Sequence, residues 1–357
     1  MSRRVIAILA LLALTACGDG QPFFEEEDDG TGGGDGEGDC VICGDPDLPP
    51  GTEEPLASGG IQRFEGREGD PDYTGDNEFG GFVESVSYNA TDDTFTVDNL
   101  AFDGANVYQR GTAVASLGDP DGAGPLTGYA VYEGDEIARD SLTGAIINQF
   151  EYRAIYGVST NTTTVGGETV PMSQFAIIRT GSYIDYGFGG FLYERNGAVT
   201  IPTTGQAQYT GGYAGMRVFT NRGGLEYTRA DIRIAIDFRD FNDGPGVRGS
   251  LTNRQAFDID GNPIPLGTGD DDLQLPTVVF VVGPGVMTDS GEISSGVVSS
   301  IFNAGSGALE TYEEGTYFGI LGGPDANEIV GIIAMESEDP RFSGVTAQET
   351  GGFIVYR

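Results

Sequence analysis

Histidine, lysine and tryptophan are absent from this chain of 357 residues, and cysteine occurs three times. Without histidine there is no Ser-His-Asp or Cys-His nucleophile system, and the commonest general base and metal ligand are missing. Without lysine no Schiff base forms and no P-loop lysine reaches a phosphate. Carboxylates, tyrosines and hydroxyls remain for catalysis. Acidic residues number 55, so a carboxylate-dependent glycoside hydrolase of the cell envelope stays open as the enzymatic alternative. Their abundance singles out no pair, and the reading is of a non-enzyme with no catalytic residue, no metal and no cofactor. All 18 basic residues are arginine, and the formal net charge is −37. Such a surface repels phosphates, which excludes a nucleic-acid partner, and it favours solubility.

The first sixteen residues read as an export leader. Arg3 and Arg4 form a positive n-region, and Val5 to Leu14 form an apolar stretch too short to span a bilayer. Leu14, Thr15, Ala16 and Cys17 then resemble a bacterial lipobox. That resemblance implies cleavage before Cys17 and acylation of Cys17, so that fatty chains tether the product to a membrane. Each buried methylene contributes about 0.8 kcal/mol, and two or more chains anchor stably. Gly18 follows the cysteine rather than an aspartate, which favours the outer membrane, at the cell surface rather than the periplasmic face.

Residues 17–58 read as a disordered acidic tether, rich in Gly, Asp, Glu and Pro and unable to build a core. A flexible chain of that length spans about 35 Å on average. Cys40 and Cys43 form a C-x-x-C pair in an exported chain, expected as a local disulfide; no βαβ pattern surrounds them to suggest thioredoxin-like chemistry.

From residue 59 onward the pattern is all β, punctuated by Gly, Asn, Asp and Thr. Phe82 to Tyr88 and Thr94 to Asn99 flank a polar turn and predict a hairpin. Phe150 to Ser159 and Met172 to Thr180 flank a second polar stretch. Ala230 to Asp240 alternates strictly: Ile232, Ile234, Ile236 and Phe238 share one face, and Asp231, Arg233, Asp237 and Arg239 the other. Thr277 to Val282 is a continuous apolar run, expected to be buried on both faces. Asn327 to Met335 and Gly351 to Tyr356 close the pattern. A β-rich, handle-like domain is expected at 59–200 and a barrel at 201–357. The strands read as short and broken by glycine, which, with the lipid anchor, argues against a membrane-spanning barrel.

The stretch QAQYTGGYAG from Gln206 to Gly215 resembles the barrel-opening strand of the transferrin-binding protein B family of surface lipoproteins. The Asp- and aliphatic-rich strand Asp231 to Phe238 and the motif from Gly322 to Gly331 fit the same family, as do the lipobox, the tether and the β-rich segment ahead of the barrel. The resemblance covers somewhat less than half of the chain. It implies a C-terminal antiparallel barrel of the eight-stranded type and a surface-binding role. The chain carries one barrel pattern where that protein has two lobes, so transferrin binding is not implied. A structural or adhesive role without a specific ligand is the remaining alternative.

Three clusters are candidate contact sites. Arg217, Arg222, Arg229, Arg233, Arg239, Arg248 and Arg254 crowd one region, where bidentate contacts would hold an anion; Arg229, Arg233 and Arg239 are the leading candidates, against simple charge balancing. Tyr183, Tyr186, Phe188, Phe191 and Tyr193 form an aromatic run suited to a ligand surface or to packing between two β domains. Asp258, Asp260 and Asn262, Asp270 to Asp272, and Asp70, Asp72, Asp76 and Glu78 offer oxygen ligands, but the EF-hand pattern fails, and they read as solvated turn residues. The partners expected are a membrane, through the lipid anchor, and a protein or solute of unknown identity.

Overall fold

The computed structural model describes residues 48–52, 56–66, 83–98, 107–118, 128–134, 141–144, 151–182, 186–239, 244–265, 275–284, 286–303 and 305–357. Cys17, Cys40, Cys43 and Tyr183, the acidic candidates Asp70, Asp72, Asp76, Glu78 and Asp270 to Asp272, the leader and nearly all of the tether lie outside these residues.

The described chain is nearly all β. Its first part holds β1 (Ile61–Phe64), β2 (Ser85–Asn89), β3 (Thr94–Asp98), β4 (Val107–Arg110), β5 (Ser116–Leu117), β6 (Tyr129–Gly134), β7 (Tyr152–Val158), β8 (Thr162–Val165), β9 (Glu168–Pro171), β10 (Ser173–Thr180) and β11 (Gly189–Arg195). Its second part holds β12 (Gln206–Thr220), β13 (Glu226–Asp237), β14 (Gly246–Phe257), β15 (Pro263–Ile264), β16 (Val278–Phe280), β17 (Gly283–Pro284), β18 (Glu292–Asn303), β19 (Ala308–Gly322), β20 (Glu328–Glu338) and β21 (Thr346–Tyr356). One 3₁₀ turn, Pro324–Ala326, is the helical element among the described residues.

The first sheet runs β1-β11-β10-β7-β6-β4-β3-β2, with β5 against β6. The expected hairpin forms, and the second pair of segments is also found paired. Ser85 to Asn89 pairs with Asp98 to Thr94, and β7 pairs with β10, with the polar stretch between them folded into the small hairpin β8–β9. The second sheet closes on itself in the order β12-β13-β14-β16-β18-β19-β20-β21, with β21 returning to β12. Closure leaves no edge along most of the wall.

Alternation decides what each barrel strand covers. Ile232, Ile234 and Ile236 point inward with Tyr209, Phe280, Ile293, Tyr317, Ile333 and Phe353, while Arg233 stands outside in water. The Phe280 and Tyr317 rings stack at 4.2 Å. Each such side chain contributes about 1.5–3 kcal/mol by leaving water. β20 instead reads as an almost unbroken apolar run because both its faces are covered: Ile329 and Ile333 face the interior, and Val330 and Ile332 meet the first sheet. Two expectations change. The barrel strands are long, reaching fifteen residues in β12 and β19; glycine bends these strands without ending them. The Thr277 to Val282 run is one-sided. Val278 and Phe280 are buried, whereas Val279, Val281 and Val282 are 46%, 47% and 70% exposed. Apolar residues inside and Arg233, Arg239 and Arg248 outside are the reverse of a lipid-facing barrel.

The first sheet lies against β12, β19, β20 and β21 through one shared core. Tyr129, Ile155, Phe175, Ile177 and Phe191 meet Met216, Phe318, Ile320, Ile332 and Ile354. Two adjacent glycines permit the approach: a Cβ on Gly351 would meet the Tyr213 ring at 2.1 Å inside the barrel, and one on Gly352 would meet the Phe175 ring at 2.3 Å outside it. Several polar groups in this interface find partners across it. Arg195, 1% exposed, donates to the carbonyls of Leu56, Gly59, Gly197, Ser290 and Leu321. Glu328 accepts from Ser159 at 2.6 Å, Asn161 at 2.7 Å and Ser173 at 2.6 Å. Arg63 pairs with Glu292 at 2.7 Å. The Tyr129 hydroxyl bonds Gly212 O at 2.9 Å and receives Ile354 N–H at 2.8 Å. The outer face of the sheet builds its own core from Phe95, Tyr108, Tyr132, Tyr152 and Tyr156.

Candidate functional site at the loop end of the barrel

The barrel interior changes character along its axis. Near the β12–β13 and β20–β21 turns the aliphatic filling gives way to an ionic plug. Arg254 donates to Glu313 at 2.6 and 2.9 Å and to Glu349 at 3.0 Å. Ser299 adds a bond to Glu313 at 2.6 Å. Glu349 also accepts from Tyr213 and Thr228, each at 2.9 Å. Arg217 lies 3.9 Å from Glu349 and donates to Glu226 at 3.2 Å. At the rim, Arg341 bridges Asp339 at 2.6 Å and Glu226 at 2.9 Å, and Arg222 reaches Glu226 at 3.2 Å. Four arginines (Arg217, Arg222, Arg254, Arg341) thus face four carboxylates (Glu226, Glu313, Asp339, Glu349), and the plug is neutral in formal charge. The Arg222 guanidinium lies over the Phe219 and Phe342 rings at 4.3 and 4.6 Å, closing the end.

A backbone irregularity aims Arg254. Register shifts where Arg229 and Asp231 oppose Gln255 and Thr252, with Asn253 at φ +54°. That bulge reverses the alternation of β14, so Arg254 turns inward although Val247 and Leu251 already set the opposite parity. A second bulge lies between Ser299 and Ser300, where Tyr312 is the extra residue and packs against Ala256 and Leu275; Glu313, on the barrel side of it, keeps the inward parity of Gly315 and Tyr317. Burial pushes the Glu313 carboxyl up, but the charge and hydrogen bonds of Arg254 outweigh it, helped by Ser299, and hold the group below its ordinary value. Burial lowers Arg254 while Glu313 and Glu349 raise it further, so it stays charged.

Above the plug the wall forks. β19 pairs with β18 from Ile320 back to Ala308, but with β20 only from Gly322 to Glu314. β20 in turn follows β21 to Glu338. Glu314 stands directly opposite Glu336 at the last shared rung. Like charges so placed repel, and the bulge at Tyr312 steers β19 away. A groove of about 540 Å³ occupies the fork, bordered by Thr311, Glu314, Glu336, Glu338 and Thr346. Tyr312 reaches across to Ser337. Beyond the groove the β18–β19 hairpin projects, and the cross-strand pair Phe302 and Leu309 at its tip is 66% and 72% exposed.

The structure distributes the sequence candidates. Arg217 and Arg254 are buried in the plug. Arg229 lies on the outer wall, bonded to Gln255 at 2.7 Å and over the Phe257 ring at 5.0 Å. Arg233, Arg239 and Arg248 are exposed on the same wall. Tyr193 and Phe191 are buried between sheet and barrel. Phe188 packs half-buried on the outer core of the sheet. Tyr186 is half-buried, and its hydroxyl bonds Glu336, Thr220 and Thr346, which places it behind one groove wall. Asp258 caps its own turn, accepting from Asp260, Asn262 and Gly261, and no group of three metal-ligating side chains occurs among the described residues. The groove glutamates and the hairpin tip are not among the sequence candidates. The signs of them in the chain are that Glu314 and Glu336 border the more apolar stretches 315–322 and 329–335, and that Phe302 and Leu309 flank a Gly-Ser-Gly turn.

Fold and site together define an antiparallel barrel with an apolar interior, backed by a curled sheet and forked at its loop end. Solved structures of transferrin binding protein B are similar to this chain. A double mutant from Haemophilus parasuis Hp5 matches at 12% identity and TM-score 0.30, over 84% of this chain and 51% of that one. A single mutant of the same protein matches at 12% and 0.27, over 76% and 65%. Isotype 1 from serogroup B Neisseria meningitidis matches at 11% and 0.25, over 84% and 63%. This chain therefore spans about half to two thirds of the length of those proteins. No protein-family model and no curated protein matches the sequence. No helix among the described residues is long and apolar enough to cross a membrane.

Proposed function

We propose that this chain is a lipoprotein, anchored at the outer membrane through Cys17, that holds a protein or solute ligand at the loop end of its barrel without catalysing a reaction. The observation that carries the reading is the fork: a closed barrel with an apolar interior opens there into a groove of about 540 Å³ beside an exposed apolar hairpin tip. Rigid scaffolds that present such an end are suited to recognition. The absence of histidine and lysine supports the non-catalytic half. The tether would carry this end clear of the membrane surface.

The test is made in intact cells. Labelled palmitate is expected on the full chain and not on Cys17→Ser, which is expected to leave the membrane fraction. External protease is expected to remove the chain without lysis. Palmitate on the serine variant, or full protection from protease, would overturn the anchoring half. Turnover of envelope or environmental glycans by the purified protein would overturn the non-catalytic half.

A further inference from the structure

Ala308 to Glu313 form a strand edge that is paired on one side only. Their ladder to β18 is complete through Asn303, while the ladder to β20 stops at Glu314. No described residue pairs with the other side. An antiparallel edge of this kind offers alternate N–H and C=O groups outward, in line with the groove. Natural sheets shield long edges, and an edge left open beside a groove is a template for an incoming strand.

The chemistry of the borders selects the occupant. Glu314, Glu336 and Glu338 all stand on the outer face of the fork, since Gly315, Met335 and Ser337 take the inward positions of the alternation. Glu314 opposes Glu336 at the closed end of the fork, and no arginine is among the groove's lining residues. Leu309, with Phe302 across the hairpin, adds exposed apolar surface on the same strand.

We infer that the loop end takes up an extended segment of a partner protein by strand addition along Ala308 to Glu313, and that the segment alternates basic with apolar side chains. Its backbone completes the ladder. Its arginines or lysines meet Glu314, Glu336 and Glu338 on the outer face, and its apolar residues turn to the opposite face, toward Gly315 and Met335 of the groove. Opposite charge brought across a ladder stabilises pairing, as like charge opposes it. This inference rests on the binding reading above and deepens it.

The experiment uses the full lipidated chain in detergent micelles and a nine-residue peptide alternating arginine and valine. Two control peptides carry the same charge with alternate residues N-methylated, or glutamate in place of arginine. Anisotropy is expected to report saturable binding of the first alone, at least tenfold tighter than either control and weakened by salt. Hydrogen exchange on the unaltered protein is expected to slow at Leu309 to Glu313. Glu314→Gln with Glu338→Gln is expected to weaken binding at least tenfold at an unchanged melting temperature. Equal binding of the N-methylated peptide, or protection elsewhere, would overturn strand addition. Photocrosslinking from Phe302 in cells reads rim binding whatever its chemistry. Adducts there, without peptide binding, would remove the inference and leave the function standing; loss of both would remove both.

Discussion

Arg254 and Glu313 meet inside the barrel as a two-pronged pair, at 2.6 and 2.9 Å; a β-bulge turns Arg254 inward, whereas Glu313 follows the regular alternation of its strand. Both side chains are buried. The pair therefore depends on one local departure from strand alternation, the bulge in β14, and it joins β14 to β19 across the interior where the wall begins to fork. Paired and hydrogen-bonded, such charges add little net stability; with one partner removed, the other is a bare charge away from water.

Arg254→Met is accordingly expected to destabilise the fold by about 3–5 kcal/mol, because Glu313 and Glu349 lose their shared donor. Arg254→Met combined with Glu313→Leu is expected to recover much of that loss. Urea unfolding of the single and double variants decides it. Equal losses in both would contradict the account of the plug.

The plug also sets acid stability. The folded Glu313 carboxyl titrates below its ordinary value of 4.5, because Arg254 outweighs burial. Its contribution is therefore present above that value and is lost as pH falls below it. Glu313→Gln is expected to flatten the decline of the urea midpoint below pH 4.5, and an unchanged decline would count against the pairing.

Glu65 behaves in the opposite sense. It lies buried beside Arg179 at 3.1 Å, and burial outweighs that charge, raising its carboxyl from 4.5 to about 7. Stability from the protonated form is complete below pH 4.5 and is lost as pH rises through about 7. The window corresponds to about 3 kcal/mol at about 1.4 kcal/mol per pH unit. Urea midpoints of the natural protein are expected to fall between pH 5 and pH 8, and those of Glu65→Gln to stay level. A matching fall in both would show that another group titrates.

Glu328 ties the sheet to the barrel through three donors. Glu328→Ala leaves the buried Ser159 and Ser173 hydroxyls and the half-buried Asn161 amide without their acceptor, at about 1–3 kcal/mol for each buried group left unsatisfied. The expected sign is faster hydrogen exchange in β10 and β20 together, the two strands the contact joins. Exchange that quickens in β20 alone would mean that the interface does not act as one unit.

Much of the fold was legible before any coordinates. The alternation from Ile232 to Phe238 located an inward face, and the polar stretches after Tyr88 and Ser159 located turns. Coverage was less legible, because an apolar run does not say what lies on its second side. β20 is roofed by the sheet, whereas Val279 and Val281 face water. The arginine cluster misled for a related reason. Neighbours in sequence alternate in direction and bulges reset the alternation, so Arg254 entered the plug while Arg233 and Arg248 stayed outside. The groove was hidden because Glu314 and Glu336 are brought opposite by register alone.

The most direct test of the binding reading is site-specific photocrosslinking in intact cells, with the photoreactive residue at Leu309 in one strain and at Leu142, which is 93% exposed on the sheet side of the chain, in another. The expected result is a discrete adduct from Leu309 that is absent from Leu142. No adduct from Leu309, or the same adducts from both positions, would contradict a ligand held at the fork of the barrel.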